Sequence, residues 1–502
     1  MKEARAKEDE REGVDTSAYA RSEVTRLLCA AVYLDGRFRR DILREFIEPS
    51  GRVAAPSLGF DVVLVLRHSL RARGLETKTA LWLIAGGASL FFLSYLMRMF
   101  GESLDAMNLV QAAESFGFGI LIGLYIFLAF GTFTMLSRFL TGKSTAVYLH
   151  DKGERKRKKG ILAVLGRFLR VAVWAHVLFY SGVLLISLFT EEWLTGLGVI
   201  ATFVVLTWTV VWHRAWVEHI LTTELSEQCF TGEGPEVNAK YGPLFETISR
   251  EQHSEVIIYN PADPFLGAGD AYKAWSFHLE LRTTDGKRAG GGGLSGRFII
   301  DLVKRELEAL TGSASERNLD RLRQMEITEC VFLPGPLPFG YGRSQLPTER
   351  EDVPRQVAEA VDEGAEQRRH FLRVRIGGWE EQVVTTVFVR AHPQGGTLLL
   401  EVAPHVLRPL REEFLVAEAI AETNPRAATE VRRVFSALVS APAASLAACL
   451  SLLQTAFFEL RARGGGSDVN RVEGPLISVR EQAASHELSL FQEMDVARYV
   501  KT

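Results

Sequence analysis

The chain has 502 residues, 47% of them hydrophobic, and a formal net charge of −3 at pH 7. A charge this close to neutral excludes the strongly basic class of nucleic-acid-binding proteins, so no nucleic-acid partner is expected. The four cysteines are scattered without a CxxC pair, which argues against a disulfide framework and a zinc site, and the sequence identifies no cofactor.

The N-terminal part of the chain precedes the first long apolar stretch. Residues 1–18 are rich in Lys, Glu and Arg and are predicted to form a charged, disordered tail. Residues 19–78 are predicted to form a cytoplasmic helical unit, because apolar residues recur at helical spacing around Leu27, Ile42 and Val62. We expect this unit to pack against a larger soluble domain, and the first membrane span to serve as the targeting signal.

Residues 79–213 contain four apolar stretches, at about 80–97, 116–136, 171–189 and 194–212. Each is close to the roughly 20 residues that an α-helix needs to cross the hydrocarbon core of a bilayer. The stretches are apolar on all faces, whereas a helix of a soluble protein usually keeps a polar stripe. The sequence therefore predicts an α-helical membrane domain of four transmembrane helices, with the lipid bilayer as its partner.

The loop at 137–170, between the second and third spans, is strongly basic. Residues 99–115, between the first and second spans, carry no Lys or Arg. Because basic loops stay inside, we expect a multi-pass plasma-membrane protein with both termini in the cytoplasm. Orientation alone is the favoured role of the basic cluster, and the alternative is that it also contacts anionic lipid head groups, at about 1 kcal/mol per residue. It consists of Arg155, Lys156, Arg157, Lys158 and Lys159.

Three residues inside the spans are candidates for helix packing. Gly119 and Gly123 form a GxxxG pattern, which lets another helix approach closely, either within the bundle or in a dimer. Apart from the tyrosines, His176 is the only titratable residue well inside a predicted span. Its predicted role is a hydrogen bond between helices. The spans lack charged groups near the midplane, which argues against a transporter.

Residues 221–432 are predicted to form a cytoplasmic α+β domain with an antiparallel sheet. Strand patterns at 255–259 and 275–282, joined by a glycine-containing turn, suggest an antiparallel pair. Alternation over 372–402 predicts a β-meander, and the order of elements lacks the βαβ repeat of a parallel sheet. Further elements are a helix at 295–312 with Ser295 as its N-cap, a strand at 327–333, and an acidic helix ending near 364.

Residues 433–502 are predicted to form a C-terminal helical region. Its segment 434–458 contains no charged residue and resembles a fifth span. It is nevertheless mostly Ala and Ser, contains Pro442 and carries Gln454, which makes insertion marginal. A buried or membrane-surface helical hairpin is the favoured interpretation, and crossing remains the alternative.

The loop after the first predicted strand is the candidate ligand site. Its glycines would let backbone N–H groups approach an anion, as phosphate-binding loops do. The loop lacks GxxxxGK[ST] and the full GxGxxG pattern, so a tight connection with positive φ is the favoured alternative. No catalytic residue and no metal ligand is assigned. The candidate residues are Asp263, Phe265, Gly267, Gly269, Asp270 and Lys273.

Two segments of the soluble domain carry a resemblance. The sequences PADPFLGAGDAYKAWSF and LRVRIGGWEEQVVTTVFVRAHPQGGTLLLEV resemble segments of uncharacterised integral membrane proteins of actinobacteria. The abundance of Arg, Ala and Gly is consistent with that source. The resemblance supports the domain layout and implies no activity.

The sequence leaves three function classes open. The favoured one is a membrane-anchored cytoplasmic protein that binds a ligand, a protein partner or a second copy of itself and acts as a regulator or scaffold. The alternative is a membrane-tethered enzyme that acts on a nucleotide or another phosphorylated substrate through the 263–270 loop. The third class is a channel or transporter formed by oligomerised spans.

Overall fold

A computed structural model describes most of the chain. The predicted tail lies almost wholly outside the described residues, and so does the basic cluster from Arg155 to Lys159. The described residues are 16–47, 52–141, 161–190, 193–281, 295–313, 325–335, 343, 346–348, 352–362, 368–378, 382–394, 397–422, 427–464, 472–485 and 487–501.

The N-terminal unit contains three helices: α1 (Thr16–Ala20), α2 (Glu23–Leu34) and α3 (Gly36–Ile47). Helix α2 starts at a cap in which the Ser22 hydroxyl accepts a hydrogen bond from the Thr25 N–H at 3.2 Å. From Thr25 to Leu34 every residue of α2 is buried. A helix buried on all sides lies at the centre of a hydrophobic core, so the N-terminal unit is a packed part of the fold.

Four long helices follow: α4 (Val62–Ser103), α5 (Met107–Thr141), α6 (Ile161–Leu188) and α7 (Trp193–Thr223). Helix α4 begins at Asp61, whose side chain accepts from the Val63 N–H at 2.8 Å, and continues without a break for 42 residues. The predicted boundary at 78/79 therefore falls inside one helix. Because no proline interrupts α4, the N-terminal unit is continuous with the first apolar stretch.

The start of α4 and the end of α7 lie at the same end of the bundle. The Thr79 hydroxyl is 2.8 Å from His213 Nδ1, and an Arg71 guanidinium N–H donates to the Glu224 carboxylate at 2.8 Å. Everything attached to these two helix ends therefore lies at one end of the bundle, which we call the module end. The soluble parts of the chain are collected there.

The soluble module contains α8 (Gly242–Gln252) and a mixed seven-stranded sheet with two further helices. After α8 the elements are β1 (Val256–Tyr259), β2 (Asp270–Ala271), β3 (Trp275–Glu280), α9 (Gly296–Ser313), β4 (Glu326–Pro334), α10 (Val353–Asp362), β5 (Arg369–Gly378), β6 (Val383–Gln394) and β7 (Thr397–Leu407). The strand order is β1-β4-β5-β6-β7-β2, and β3 also pairs with β7.

The sheet confirms one predicted feature and corrects two. Strands β5, β6 and β7 form the predicted antiparallel meander. The sheet is mixed, however, because β1 pairs parallel with β4, with Val256 opposite Val331. Strands β1 and β3 do not pair and lie on opposite sides of the meander. The reason is the long connection between β1 and β4, which contains β2, β3 and α9 and gives the chain enough length for a parallel crossover.

The C-terminal region contains α11 (Glu412–Glu422), α12 (Ala427–Gly464), α13 (Val479–Gln482) and α14 (Leu490–Lys501). Segment 434–458 belongs to the single helix α12, so the predicted hairpin is wrong. Pro442 lies inside this helix, where it removes one backbone hydrogen bond without ending the helix. Local composition marked the proline as a break, and packing against the bundle keeps the helix continuous.

Among the described residues, five helices are long and apolar enough to cross a membrane: the four bundle helices and Val439–Phe457 within α12. Length and composition thus indicate a multi-pass membrane protein. The fifth candidate differs from the others in what flanks it. Before α12, Glu418 pairs with Arg26 at 2.7 Å, and after it the Glu473 carbonyl accepts from the Val53 N–H at 3.0 Å. Both flanks contact the N-terminal unit.

Candidate functional site

The loop at 263–270, which we call the glycine loop, binds the side-chain carboxylate of Glu481. The backbone N–H groups of Gly267 and Gly269 both donate to one carboxylate oxygen of Glu481, at 2.7 and 2.8 Å. Glu481 lies on α13, which is 214 and 212 residues away in sequence. The predicted property of the loop, two amides directed at a negative charge, is therefore present, and the group that fills it is internal.

Backbone geometry requires glycine at both loop positions. Gly267 and Gly269 have φ values of +104° and +96°, which L-residues with a Cβ rarely adopt. A Cβ on Gly267 would lie 2.8 Å from the Pro56 carbonyl oxygen, and one on Gly269 would overlap the Val406 carbonyl. The favoured interpretation, a tight connection with positive φ, describes the backbone correctly.

Phe265 and Lys273 do not share a surface with the loop carboxylates. The Phe265 ring packs on Phe388 and His405 with centroids 4.7 Å from each, and it also contacts Phe332 and Phe371. This cluster anchors the loop to one face of the sheet. The ammonium of Lys273 lies 5.8 Å from the centroid of the neighbouring Tyr272 ring, outside the cleft described next.

Three of the candidate residues, Asp263, Gly269 and Asp270, line a cleft of about 520 Å³. Its other walls come from the turn before α3 and α3 itself, from the end of β7, and from residues 481–485. The cleft therefore lies where four distant parts of the sequence meet. Its volume is in the range of about 300–1,000 Å³ that is typical of small-molecule sites.

Charged groups dominate the cleft, and half of them form ion pairs with one another. Arg408 pairs with Asp270 at 2.6 Å, and Arg411 lies 3.6 Å from Asp35. The lining described contains five carboxylates against three guanidinium groups. Asp263 is exposed to solvent at the cleft wall. The remaining excess of carboxylates makes the cleft a net acceptor of positive charge.

His405 contributes an uncharged acceptor to the same cleft. Its side chain is 6% exposed, and Nδ1 lies 3.1 Å from the Ala403 carbonyl. A carbonyl can only accept, so Nδ1 carries the proton and Nε2 carries the lone pair. Burial lowers the pKa of His405, which keeps the ring neutral at pH 7.

The carboxylate that fills the loop is electrostatically constrained. Burial raises the pKa of Glu481, and the Gly269 and Gly267 N–H groups partly offset that effect. Asp263 and Asp270 raise the pKa further, because like charges disfavour ionisation. Glu481, His405 and the two aspartates thus form one interacting group at the cleft wall.

The three candidate packing residues of the predicted spans, Gly119, Gly123 and His176, lie within the bundle helices. A Cβ on Gly119 would overlap the Thr195 carbonyl, and one on Gly123 would lie 3.0 Å from the Thr202 side chain, so the GxxxG face packs α5 against α7. His176 contacts Tyr180 of its own helix, with ring centroids 4.4 Å apart. Nε2 of His176 is buried without a hydrogen-bond partner among the described residues, so this nitrogen does not make the expected hydrogen bond between helices.

Sequence reasoning did not find Glu481, His405 or the arginines of the cleft. Each lies far in sequence from the loop, and no local pattern distinguishes it from other residues of its type. The signal that existed was the positive-φ glycine pair, which indicated that something approaches the backbone there. Among the described residues, no cluster of three or more His, Cys, Asp or Glu side chains could hold a metal ion.

Residues 274–502 match the AbeC-like domain. This AbeC-like region begins at β3 and includes His405 and Glu481, while the glycine loop and the bundle precede it. The cleft thus lies between the AbeC-like region and the part of the chain that comes before it. No curated protein and no solved structure matches the chain.

Proposed function

We propose that the chain is a membrane-anchored ligand-binding protein that acts as a regulator, with the cleft as its binding site. The main support for this proposal is that the N-terminal unit, the glycine loop and the AbeC-like region all line one cleft. A ligand there would contact all three parts at once. Such a ligand changes the free energy of their association, which is the requirement for a regulatory site.

The anchor in this proposal has four crossings of the plasma membrane, α4 to α7, with the module in the cytoplasm. The basic loop at 137–170 supports that orientation through the positive-inside rule. The flanks of α12 support the number four, because both contact the N-terminal unit at the module end. A single crossing by α12 would put its flanks on opposite sides of the bilayer.

The ligand in this proposal is a small organic cation with N–H donors. Two acceptors on the cleft wall support this choice: the exposed Asp263 carboxylate and the neutral Nε2 of His405. An amine or guanidinium group would complement both. A phosphate would instead have to displace Glu481 from the loop amides and would meet an excess of carboxylates.

The cleft is connected to the bundle by direct contacts. Arg39 of α3 pairs with Glu76 of α4, and the Glu76 carboxylate accepts from the Ser451 hydroxyl of α12 at 2.9 Å. The Arg39 side chain is 3% exposed, so this pair is shielded from solvent. A change in the position of α3 on ligand binding would therefore be transmitted to α4 and α12.

The test uses the full-length chain in lipid nanodiscs and measures thermal unfolding with agmatine, spermidine or ATP. We expect agmatine or spermidine to raise the unfolding temperature, because a ligand at 100 times its Kd stabilises by about 2.7 kcal/mol. Asp263→Asn should abolish most of the shift. Glu246→Gln, at an exposed carboxylate of α8, is the matched control and should keep it.

Two results would contradict the proposal. One is the absence of a shift with either amine, and the other is an equal shift in Asp263→Asn and in Glu246→Gln. A shift with ATP alone would instead favour the membrane-tethered enzyme that acts on a phosphorylated substrate.

A further inference from the structure

We propose that α12 lies in the plane of the bilayer and that its unpacked apolar face contacts the acyl chains of the leaflet at the module end. This face, which we call the outer stripe, consists of Leu450, Leu453, Phe457 and Leu460. The occupant of the stripe is lipid. This inference does not depend on what the cleft binds.

The first observation is topological. The chain enters α12 from α11, where Glu418 pairs with Arg26 of the N-terminal unit at 2.7 Å. It leaves toward Glu473, whose carbonyl accepts from Val53 at 3.0 Å, and toward Glu481 in the glycine loop. Both ends are therefore at the module end of the bundle. One continuous helix that starts and finishes on the same side of a bilayer does not cross it.

The second observation is the depth at which α12 packs. The Pro442 carbonyl lies so close to Gly131 of α5 that a Cβ there would be 2.6 Å away. Gly131 lies within the apolar stretch at 116–136. Ala441 and Ala448 belong to one core cluster with residues of three bundle helices, which are Ala80, Leu83, Phe127, Leu206 and Val210. Helix α12 thus contacts the bundle inside its apolar zone.

Polar contacts of α12 place the helix close to the module end of the apolar zone. The Ser440 hydroxyl accepts from the Arg214 guanidinium at 2.5 Å, and the Ser451 hydroxyl donates to Glu76. Arg214 and Glu76 are both close to the Thr79–His213 contact, which lies at the module end of the bundle. Charged partners at both positions are expected at the level of the lipid head groups.

The third observation is the outer stripe itself. Its members recur at intervals of three and four residues, so they share one helical face, which is opposite to Ala441 and Ala448. Leu453 and Phe457 are 65% and 67% exposed. The apolar belt of the bundle, exposed in the same way at Trp208 and Trp212, adjoins this end. Continuity with that belt favours lipid as the occupant of the stripe.

Charge placement along α12 agrees with an interfacial helix. Segment 434–458 has no charged residue, while two arginines precede it and two follow it shortly after. In the sequence, basic residues on both sides of an apolar segment are typical of a helix that lies in the membrane interface. These residues are Arg432, Arg433, Arg461 and Arg463.

The experiment measures the depth of spin labels on the full-length chain in nanodiscs. Single cysteines are introduced along the outer stripe by Leu450→Cys, Leu453→Cys, Phe457→Cys and Leu460→Cys. The parent carries Cys229→Ser and Cys449→Ala, because the other two native cysteines are completely buried and will not react. Collision with oxygen, which partitions into lipid, is compared with collision with a water-soluble nickel complex.

Two reference positions define the scale. Leu178→Cys on α6 is 71% exposed on an apolar helix and reports the lipid environment. Glu246→Cys on α8 reports the aqueous environment. We expect all four stripe positions to favour oxygen, as Leu178→Cys does, and to have nearly equal depth, because one face of an in-plane helix has one depth.

Two outcomes would overturn the inference. Collision profiles at Leu453→Cys and Phe457→Cys that equal that of Glu246→Cys would mean that α12 is outside the bilayer. A depth that changes steadily from position 450 to position 460 would mean that α12 crosses. Each labelled protein must unfold at the temperature of its parent, and the four stripe positions provide independent replicates if one does not.

Discussion

The chain uses two glycine pairs for two different kinds of close approach. In the bundle, Gly119 and Gly123 have helical backbone, and glycine is needed because another helix occupies the space of a Cβ. In the loop, Gly267 and Gly269 have positive φ, and their amides donate to a carboxylate. A glycine pair thus indicates that something approaches the backbone, and the surrounding fold decides what that is.

The largest expected effect is at Gly119. A Cβ there would overlap the Thr195 carbonyl, which is backbone and cannot rotate away, so Gly119→Ala should force α5 and α7 apart. We expect a loss of about 2–3 kcal/mol in the free energy of unfolding, measured by thermal unfolding in detergent micelles. Gly182→Ala on α6 is the matched control, because its Cβ would meet nothing within 4 Å.

The same pair of variants separates packing within the bundle from dimerisation. If the GxxxG face joined two copies, Gly119→Ala would change the oligomeric state and leave the unfolding of the single chain similar to that of Gly182→Ala. Equal unfolding temperatures for the two variants would therefore contradict the packing role.

The second effect tests the loop glycines. Gly269→Ala introduces a Cβ at a φ of +96° and against the Val406 carbonyl. Strain at such a position costs about 1–3 kcal/mol, so we expect the free energy of unfolding to fall by about 2 kcal/mol, measured by the same unfolding assay. Gly242→Ala, where φ is −51° and no atom is within 4 Å, is the control and should be close to neutral. Equal losses in both would show that the loop tolerates a side chain.

The sequence predicted those features of the fold that depend on local patterns, and it did not predict contacts between residues far apart in the chain. The alternation over 372–402 and the helical spacing after Ser295 are local, and both elements were predicted near their observed positions. The predicted partner of β1 was wrong, because Val256 pairs with Val331, which is 75 positions further along the chain, and no local pattern reports a contact at that separation. Glu481 was missed for the same reason: its contact with Gly267 spans 214 residues.

The third effect concerns what fills the loop. Glu481→Ala leaves two inward-directed N–H groups without their acceptor, at a cost of about 1–3 kcal/mol, while Glu481→Gln keeps an oxygen in place and should lose less. Burial raises the pKa of Glu481, so its contribution is largest below the unfolded pKa and decreases as pH rises through the folded pKa. Unfolding measured from pH 4 to pH 8 should therefore have a smaller decline in Glu481→Gln. An unchanged pH dependence would contradict this assignment.

The smallest effect comes from a carboxylate held in the opposite way. Glu329 of β4 hydrogen-bonds His370 at 3.1 Å and pairs with Arg297 at 2.7 Å, and these contacts lower its pKa to about 2. The stabilisation is complete above the unfolded pKa and is lost as pH falls toward 2, which is the reverse of Glu481.

Glu329→Gln should cost about 1 kcal/mol at pH 7, because the pair is partly exposed to solvent, and should weaken the loss of stability between pH 4.5 and pH 2. Glu306→Gln, at an exposed position of α9, is the control and should leave both the stability and its pH dependence unchanged. Equal behaviour of the two variants would mean that His370 and Arg297 do not hold Glu329 in its ionised form, and that the loop and the sheet treat their carboxylates alike.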